Sequence, residues 1–318
     1  MNAQELNYSH FTSNDEAHIK GLFEASFSRK MSDDLWKWRF LDNPHGIAII
    51  NLAWDKELLV GHYAVSKCRL NLGGKEFLSG LSGTTMTHPS YRGLGLFPKL
   101  AEKTYARMRD DGMIGVWGFP NSNSHRGFVK DLKWIDIYEI PVFRLKFSNN
   151  KIRIGDVEDV FEVTALDKGF DELWQEVSRG KKIMVRRDAE HLKWRYLDNI
   201  GSKYRFVVVR RDEKLLGYAV FKRYENELQV VDILAMPDMW IGMGLIQHCV
   251  DLAMSEGCSS IGMWLSVHDP LHHELERAGF CNDGPVTYFG GRVFDGAQGG
   301  MFYDFRNWHI TMGDSDVY

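Results

Sequence analysis

The stretch Thr87-His88-Pro89-Ser90-Tyr91-Arg92-Gly93-Leu94-Gly95-Leu96 decides the reading of this chain. An arginine opens a glycine-rich turn, and Leu96, Leu100 and Tyr105 follow on a helical spacing. A turn of that kind leaves backbone N–H groups free at a helix N-terminus, where the helix dipole favours negative charge. The stretch therefore reads as a cradle for a pyrophosphate, with a glycine-rich connector that binds nothing as the alternative.

A repeat lies around it. Leu35-Trp36-Lys37-Trp38-Arg39-Phe40-Leu41-Asp42-Asn43 returns as His191-Leu192-Lys193-Trp194-Arg195-Tyr196-Leu197-Asp198-Asn199, at an offset of 156. The same offset carries Leu59 and Gly61 onto Leu215 and Gly217. Leu94-Gly95-Leu96 then matches Met243-Gly244-Leu245 at an offset of 149, and a shorter hairpin accounts for the seven lost residues. The first copy has Gly73-Gly74 in that hairpin where the second has Tyr224-Glu225-Asn226-Glu227. The copies divide near Asn149-Asn150-Lys151, giving domains 1–149 and 150–318. In the second copy Trp240-Ile241-Gly242-Met243-Gly244 has no arginine where Arg92 stands, and the glycine turn is expected to survive without its charge.

Periodicity gives the first copy one coarse order. A strand over residues 6–11 precedes a helix opened by Ser13-Asn14-Asp15-Glu16, with Ile19, Leu22 and Phe23 as its apolar stripe. A short helix carries Trp36 to Arg39. Strands are predicted at 47–54, 58–65 and 83–88, then the turn, a helix to Arg109 and a strand at 113–119. A helix near 124–132 and two closing strands, the last of them 142–147, complete the copy. The predicted class is α/β, in two tandem domains, each a mixed and mostly antiparallel sheet flanked by helices.

Composition excludes several classes. The 318 residues are 44% hydrophobic and 13% aromatic with a net charge of −4, which argues against a broad nucleic-acid footprint. No apolar run reaches the roughly 20 residues of a membrane span. Cys68, Cys249, Cys258 and Cys281 are widely spaced and the N-terminus Met1–Glu5 is polar, so reduced, buried thiols and a cytoplasmic location are expected. No metal is expected: His272-His273 is the nearest cluster and lacks ligand spacing. Oligomeric state stays open.

The element order and the R-x-x-G turn resemble the GCN5-related N-acetyltransferase (GNAT) superfamily, in both halves. Arg92-Gly93-Leu94-Gly95-Leu96-Phe97 keeps the arginine and the required glycine of Q/R-x-x-G-x-G/A and departs from it at Phe97. His268, Leu271, Leu275 and Gly279-Phe280 keep the family spacing late in the second copy. The resemblance implies tandem acyl-CoA N-acyltransferase-like domains, the first binding acetyl-CoA and the second, degenerate, covering the acceptor side. Arg92, Gly93, Leu94, Gly95 and Leu96 would hold the coenzyme A pyrophosphate. Met86, Thr87 and His88 would offer backbone to pantetheine, with Asn121 and Ser124 beside it.

The implied reaction is direct transfer of acetyl from acetyl-CoA to a primary amine, preferably of an amino sugar or nucleotide-linked amino sugar. A non-catalytic acyl-CoA sensor or scaffold is the alternative, and a Fem-like aminoacyl-tRNA-dependent peptidyl transferase the third reading. The family's general-acid tyrosine falls at Val129, with Phe128 alongside, and neither donates a proton. Proton transfer is therefore sought at His88, at His125 and Ser124, or at the C-terminal end. The enhanced-intracellular-survival acetyltransferases use a terminal carboxylate as base, and this chain is similar in ending on Tyr318 after an apparent strand 307–311, with Asp314 and Asp316 nearby. Trp38 and Arg39 are candidates for an acceptor floor, although their repetition at Trp194 and Arg195 suits core packing.

Overall fold

The computed structural model describes residues 6–148, 152–156, 158–294, 296–316 and 318; the division near 149–151 and the segment 1–5 lie outside the described residues. In chain order the first elements are β1 (Asn7–His10), α1 (Glu16–Phe27), α2 (Asp33–Phe40), β2 (Ile49–Asp55), β3 (Leu58–Leu72) and β4 (Lys75–Thr87). Then come α3 (Leu96–Asp110), β5 (Gly115–Gly118), α4 (His125–Lys130), β6 (Ile135–Lys146), β7 (Val160–Val163), α5 (Lys168–Ser178), β8 (Ile183–Val185) and α6 (Ala189–Leu192). The chain continues through β9 (Arg205–Arg211), β10 (Lys214–Tyr224), β11 (Glu227–Ala235), α7 (Met239–Ser255), β12 (Ser260–Met263), α8 (Pro270–Arg277), β13 (Cys281–Val293) and α9 (Gly299–Phe302).

Two compact units result: Met1–Arg69, Phe77–Tyr138 and Tyr288–Tyr303 form the first, and Leu70–Glu76, Glu139–Thr287 and Asp304–Tyr318 the second. Their extent differs from a simple division at 149/150. Only one strand, β6, follows α4 where two closing strands are expected, and its second half belongs to the second unit. The first unit instead takes Gly290–Val293 of β13 antiparallel against β5.

In the first unit the strands run β1-β2-β3-β4-β5, then the end of β13. Successive residues of a strand face opposite sides, so a strand buried on both faces reads as an unbroken apolar run. Ile49 and Tyr63 pack with Leu96, Leu100, Tyr105 and Met108 of α3, and Phe128 joins them from α4. Ile50, Leu52 and Ala64 face the other way, onto Ile19, Leu22 and Phe23 of α1 and Trp36 and Phe40 of α2. The expected stripe of α1 is thus its buried face. Thr12 and Asp15 form the capping box at its entry.

The second unit runs β6-β12-β11-β10-β9-β7, with β8 against residues 70–72 of β3. Its core joins Val207, Phe221, Ile233, Leu245, Val250, Ile261 and Leu275. The repeated glycines have one physical cause. A Cβ on Gly61 would stand 2.8 Å from Leu100 of α3, and one on Gly217 would stand 2.8 Å from Ile241 of α7. Each copy lays a helix directly on that strand position. Both hairpins that include these glycines also carry a β-bulge there, at Ala53/Trp54 and Leu215/Gly217.

Two expectations fail. Cys68, Cys249 and Cys258 are buried, but Cys281 is exposed on the first residue of β13. Residues 307–311 form no strand: a single parallel bridge joins Trp308 to Ile183, between two 3-10 turns.

Candidate active site

The first unit opens where β4 and β5 part. They pair in parallel only at Gly80 with Val116 and Leu81 with Trp117, and β4 continues to Thr87 with no further β5 partner. Thr84 interrupts the run at φ +52°, a left-handed conformation that costs a β-branched residue of order 1–3 kcal/mol. Two side chains hold it. His62 Nδ1 meets the Thr84 carbonyl at 2.8 Å, which requires the proton on Nδ1, and Arg39 Nε donates to Thr84 Oγ1 at 2.6 Å. His62 is fully buried beside Phe40, and desolvation lowers its pKa to about 4, so the ring stays neutral. Its Nε2 has no hydrogen-bond partner among the described residues.

The cradle follows. His88 N–H bonds back to Val60 O at 2.9 Å, and a 3-10 turn over Pro89–Tyr91 leads to Arg92. Gly93 and Gly95 sit at φ +80° and +72°, which is why glycine is needed at both. Gly95 is the N-cap of α3 and offers no side chain to its first turn. Among the described residues, the N–H groups of Gly93, Leu94 and Gly95 enter no hydrogen bond, and the exposed Arg92 side chain enters no ion pair. No acidic residue lies in the first turn of α3. Free donors, an uncommitted guanidinium and a helix N-terminus together make an anion site.

The neighbouring candidates are placed as follows. Met86 is buried by its side chain in the α1–α2 core, while Thr87 is half-buried at the strand end. Asn121 Oδ1 accepts from the N–H groups of Asn123 and Ser124, at 3.0 and 3.1 Å, so that oxygen serves the entry to α4. Ser124 Oγ returns to Asn121 O at 3.3 Å. His88 Nδ1 accepts from Ser90 N–H at 3.3 Å, which leaves the proton on Nε2 of the neutral ring. Tyr91 O–H donates to Asp55 at 2.5 Å, and that bond raises the phenol's pKa. His125 stacks on Tyr288 at 3.9 Å and contacts Asp136 at 2.8 Å. Trp38 is half-buried on α2, on the same helix as Arg39.

Phe97 and Phe128, centroids 5.0 Å apart, lock α3 to α4, the packing role open to the residue that departs from the turn consensus. Val129 is exposed. His62 and Thr84 are the site residues that pattern reading missed. A histidine inside the apolar run Leu59–Val65, and a glycine next to two threonines at Gly83-Thr84-Thr85, are the signals that mark them.

The second unit's counterpart differs in kind. Ile241, Gly242 and Gly244 are not a turn: they lie within the continuous helix α7, and the expected survival of the glycine turn is corrected. A Cβ on Gly244 would stand 2.6 Å from Asp156 O, so this glycine serves close packing. Arg195, the copy of Arg39, is buried and donates to the carbonyls of Gly313 and Ser315 at 3.0 and 2.9 Å and to the terminal carboxylate of Tyr318 at 2.6 Å. The Tyr318 ring lies edge-on to Trp264 at 5.2 Å, and burial raises its phenol pKa. Asp314 belongs to a buried ion network in which Arg187 donates to Asp232 at 3.0 Å and to Asp314 at 2.7 Å. His272 stacks on Phe143 at 4.1 Å in the core.

Comparison with known proteins places this geometry. The family model described as acetyltransferase (GNAT) domain matches residues 7–134, and that of the acetyltransferase (GNAT) family matches 169–280. No curated protein sequence matches. Among solved structures, a GCN5-related N-acetyltransferase from Anabaena variabilis has a TM-score of 0.73 at 14% identity, covering 92% of this chain and 73% of its own. One from Kribbella flavida has a TM-score of 0.68 at 14% identity, covering 94% and 74%. Eis1 from Mycobacterium abscessus has a TM-score of 0.63 at 13% identity, covering 94% and 76%. These likenesses concern the fold. With one family model in each half, the chain is a tandem member of the GCN5-related N-acetyltransferase family of N-acyltransferases.

Proposed function

We propose that the chain transfers the acetyl group of acetyl-CoA to the primary amine of an amino sugar or nucleotide-linked amino sugar. The observation that carries the reading is the cradle: Arg92 and the uncommitted N–H groups of Gly93 to Gly95, at the start of α3 and beside the parted end of β4. It suits the pyrophosphate of coenzyme A, and the backbone around Met86, Thr87 and His88 suits pantetheine and the thioester. Leu96 seats the first turn of α3 in the core, and the amide of Asn121, with Ser124, borders the same opening. Trp38 and Arg39 border the acceptor.

In the reaction the neutral amine attacks the thioester carbon, the C–S bond breaks, and the amine's proton passes to the departing thiolate. His88 can take that proton only at Nδ1, on giving up its contact with Ser90. The terminal carboxylate of Tyr318 is the second proposed group, as a base or as an orienting group for the acceptor. Turnover of His88→Ala and of a chain extended beyond Tyr318 separates them.

Acetyl-CoA is expected to raise the melting temperature of the wild type and to leave Arg92→Ala unmoved. Thiol release across a panel of amino sugars, polyamines and aminoglycosides then identifies the acceptor. A wild type that acetyl-CoA does not stabilise overturns the reading. The non-catalytic sensor is favoured by one observation, the apolar pair Phe128 and Val129 in place of a proton donor; acetyl-CoA binding without thiol release from any amine would establish it.

A further inference from the structure

A run of buried polar side chains in the first unit ends where β4 and β5 part. It joins Trp134, Tyr105 of α3, Tyr63 of β3 and Ser82 of β4, all within that unit. Trp134 Nε1–H donates to the Tyr105 hydroxyl at 2.9 Å, the Tyr105 and Tyr63 hydroxyls lie 2.8 Å apart, and the Tyr63 hydroxyl lies 2.9 Å from Ser82 Oγ. An indole N–H only donates, so it fixes the sense of the run. Tyr105, having accepted from Trp134, places its own proton on Tyr63, and Tyr63 places its proton on Ser82 Oγ. In that arrangement no buried phenol is left without an acceptor. Burial raises the pKa of both phenols, so both keep their protons. The Ser82 hydroxyl proton then has no acceptor among the described residues.

The position of Ser82 gives that proton a use. Exposure rises along the run, from none at Tyr105 and Tyr63 to 8% at Ser82. Ser82 directly follows Leu81, whose pairing with Trp117 is the last between β4 and β5. Two residues further on stands the strained Thr84. Across from Ser82 is Gly118, where a Cβ would lie 3.6 Å from Ser82 Cβ and 3.1 Å from Ser82 O. Glycine there keeps β5 from laying a side chain over the serine. The opening between the strands therefore begins at a hydroxyl that accepts from one side and has its own proton uncommitted.

Resting on the proposed acetyl transfer, the geometry points to Ser82 as a catalytic residue whose O–H donates to the thioester carbonyl oxygen while the amine adds. As the nitrogen bonds to the carbonyl carbon, the C=O electron pair moves onto oxygen, and Ser82 hydrogen-bonds that oxyanion without giving up its proton. The C=O bond then re-forms, the C–S bond breaks, and the thiolate leaves with the electron pair. Hydroxyls ordered in one sense polarise the last O–H of the run, and a donor fixed in advance acts on charge that develops only in the transition state. The role is separate from the proton transfer proposed for His88 and the end of the chain.

Steady-state thiol release with the best amine of the panel, read beside acetyl-CoA thermal shifts on the full chain, tests this. Ser82→Ala should lose about 100-fold in kcat, the cost of one such donor, and keep its thermal shift. Its KM for acetyl-CoA should stay within about threefold, because the bond is made in the transition state. Ser82→Thr keeps the hydroxyl and should stay within about tenfold of wild type in kcat. Tyr63→Phe leaves Ser82 in place, removes the bond that polarises it, and should lose about two- to fivefold in kcat.

Ser82→Ala turnover within about threefold of wild type, a loss confined to KM, or Ser82→Thr no better than Ser82→Ala overturns the assignment and leaves acetyl-CoA binding standing. If Ser82→Ala loses its melting transition, Tyr63→Phe decides, and wild-type kcat in that variant overturns the assignment. A wild type that acetyl-CoA does not stabilise overturns the underlying reading and this one together.

Discussion

Replacing His62 tests whether the strained backbone at Thr84 is part of the chemistry. Thr84 persists at φ +52° because its carbonyl accepts from His62 Nδ1 at 2.8 Å and its hydroxyl accepts from Arg39 at 2.6 Å. Removing the first donor strands a carbonyl that faces a fully buried side chain, at about 1–3 kcal/mol. The strained backbone at Thr84 is then free to relax, and under the proposed function residues 85–87 would lose their alignment on the thioester. If that free energy appears in the transition state, each 1.4 kcal/mol is about tenfold, and kcat/KM for acetyl-CoA falls about 10- to 100-fold. His62→Gln should show this loss, because its amide lies farther out, near the place of Nε2. His62→Asn, with an N–H near the place of Nδ1, should stay within about threefold of wild type. Both variants lose the ring's packing on Phe40, so their melting temperatures should fall together. Steady-state thiol release with the best amine of the panel, read beside the melting curves, decides. Equal activity in Asn and Gln variants would refute a positioning role for this hydrogen bond.

Other outcomes follow from the same physics. Arg187→Met leaves Asp232 and Asp314 buried without their cation and should cost about 3–5 kcal/mol, roughly 6–20 °C in a scan. Gly95→Ala has open space for its Cβ but keeps φ +72°, so it should cost about 1–2 kcal/mol and weaken acetyl-CoA binding through the distorted cradle. Acid should destabilise the chain through His62, whose folded pKa of about 4 lies below its ordinary 6.5. The unfolded chain takes that proton first, so the stabilisation is whole above pH 6.5 and is lost as pH falls towards 4, about 3 kcal/mol in all. His62→Asn should flatten that limb in a pH series of melting curves, and an unchanged limb would contradict the assignment.

The parts of the fold legible in the sequence are those set by local periodicity or by a glycine with a single use. The stripe Ile19, Leu22, Phe23 is legible because a 3.6-residue period has one buried face. Gly61 and Gly217 mark the copies because each meets a helix at van der Waals distance. The exchanged strand is not legible: Gly290–Val293 reads as a late strand wherever it pairs, and nothing local names β5 as its partner. The second-copy glycines mislead for a related reason. Glycine serves a left-handed turn at Gly95 and close packing inside a helix at Gly244, and the letters alone do not separate these uses.

Arg39 and Arg195 show how duplicated residues part in function while keeping their places. Both stand in the same nine-residue motif, and both direct the guanidinium to the backbone or hydroxyl oxygens of a neighbouring segment. In the first unit the arginine is half-buried and donates to a hydroxyl on the strained strand end. In the second it spans the carbonyls of Gly313 and Ser315 and the carboxylate of Tyr318, and desolvation is offset by those acceptors. A guanidinium that closes a buried network fixes a segment, and Arg39, half-buried beside a parted strand, holds Thr84. The repetition of Trp-Arg therefore supports architecture for Arg195 without deciding the role of Arg39. That role turns on Thr84, a residue with no counterpart in kind at Ile233.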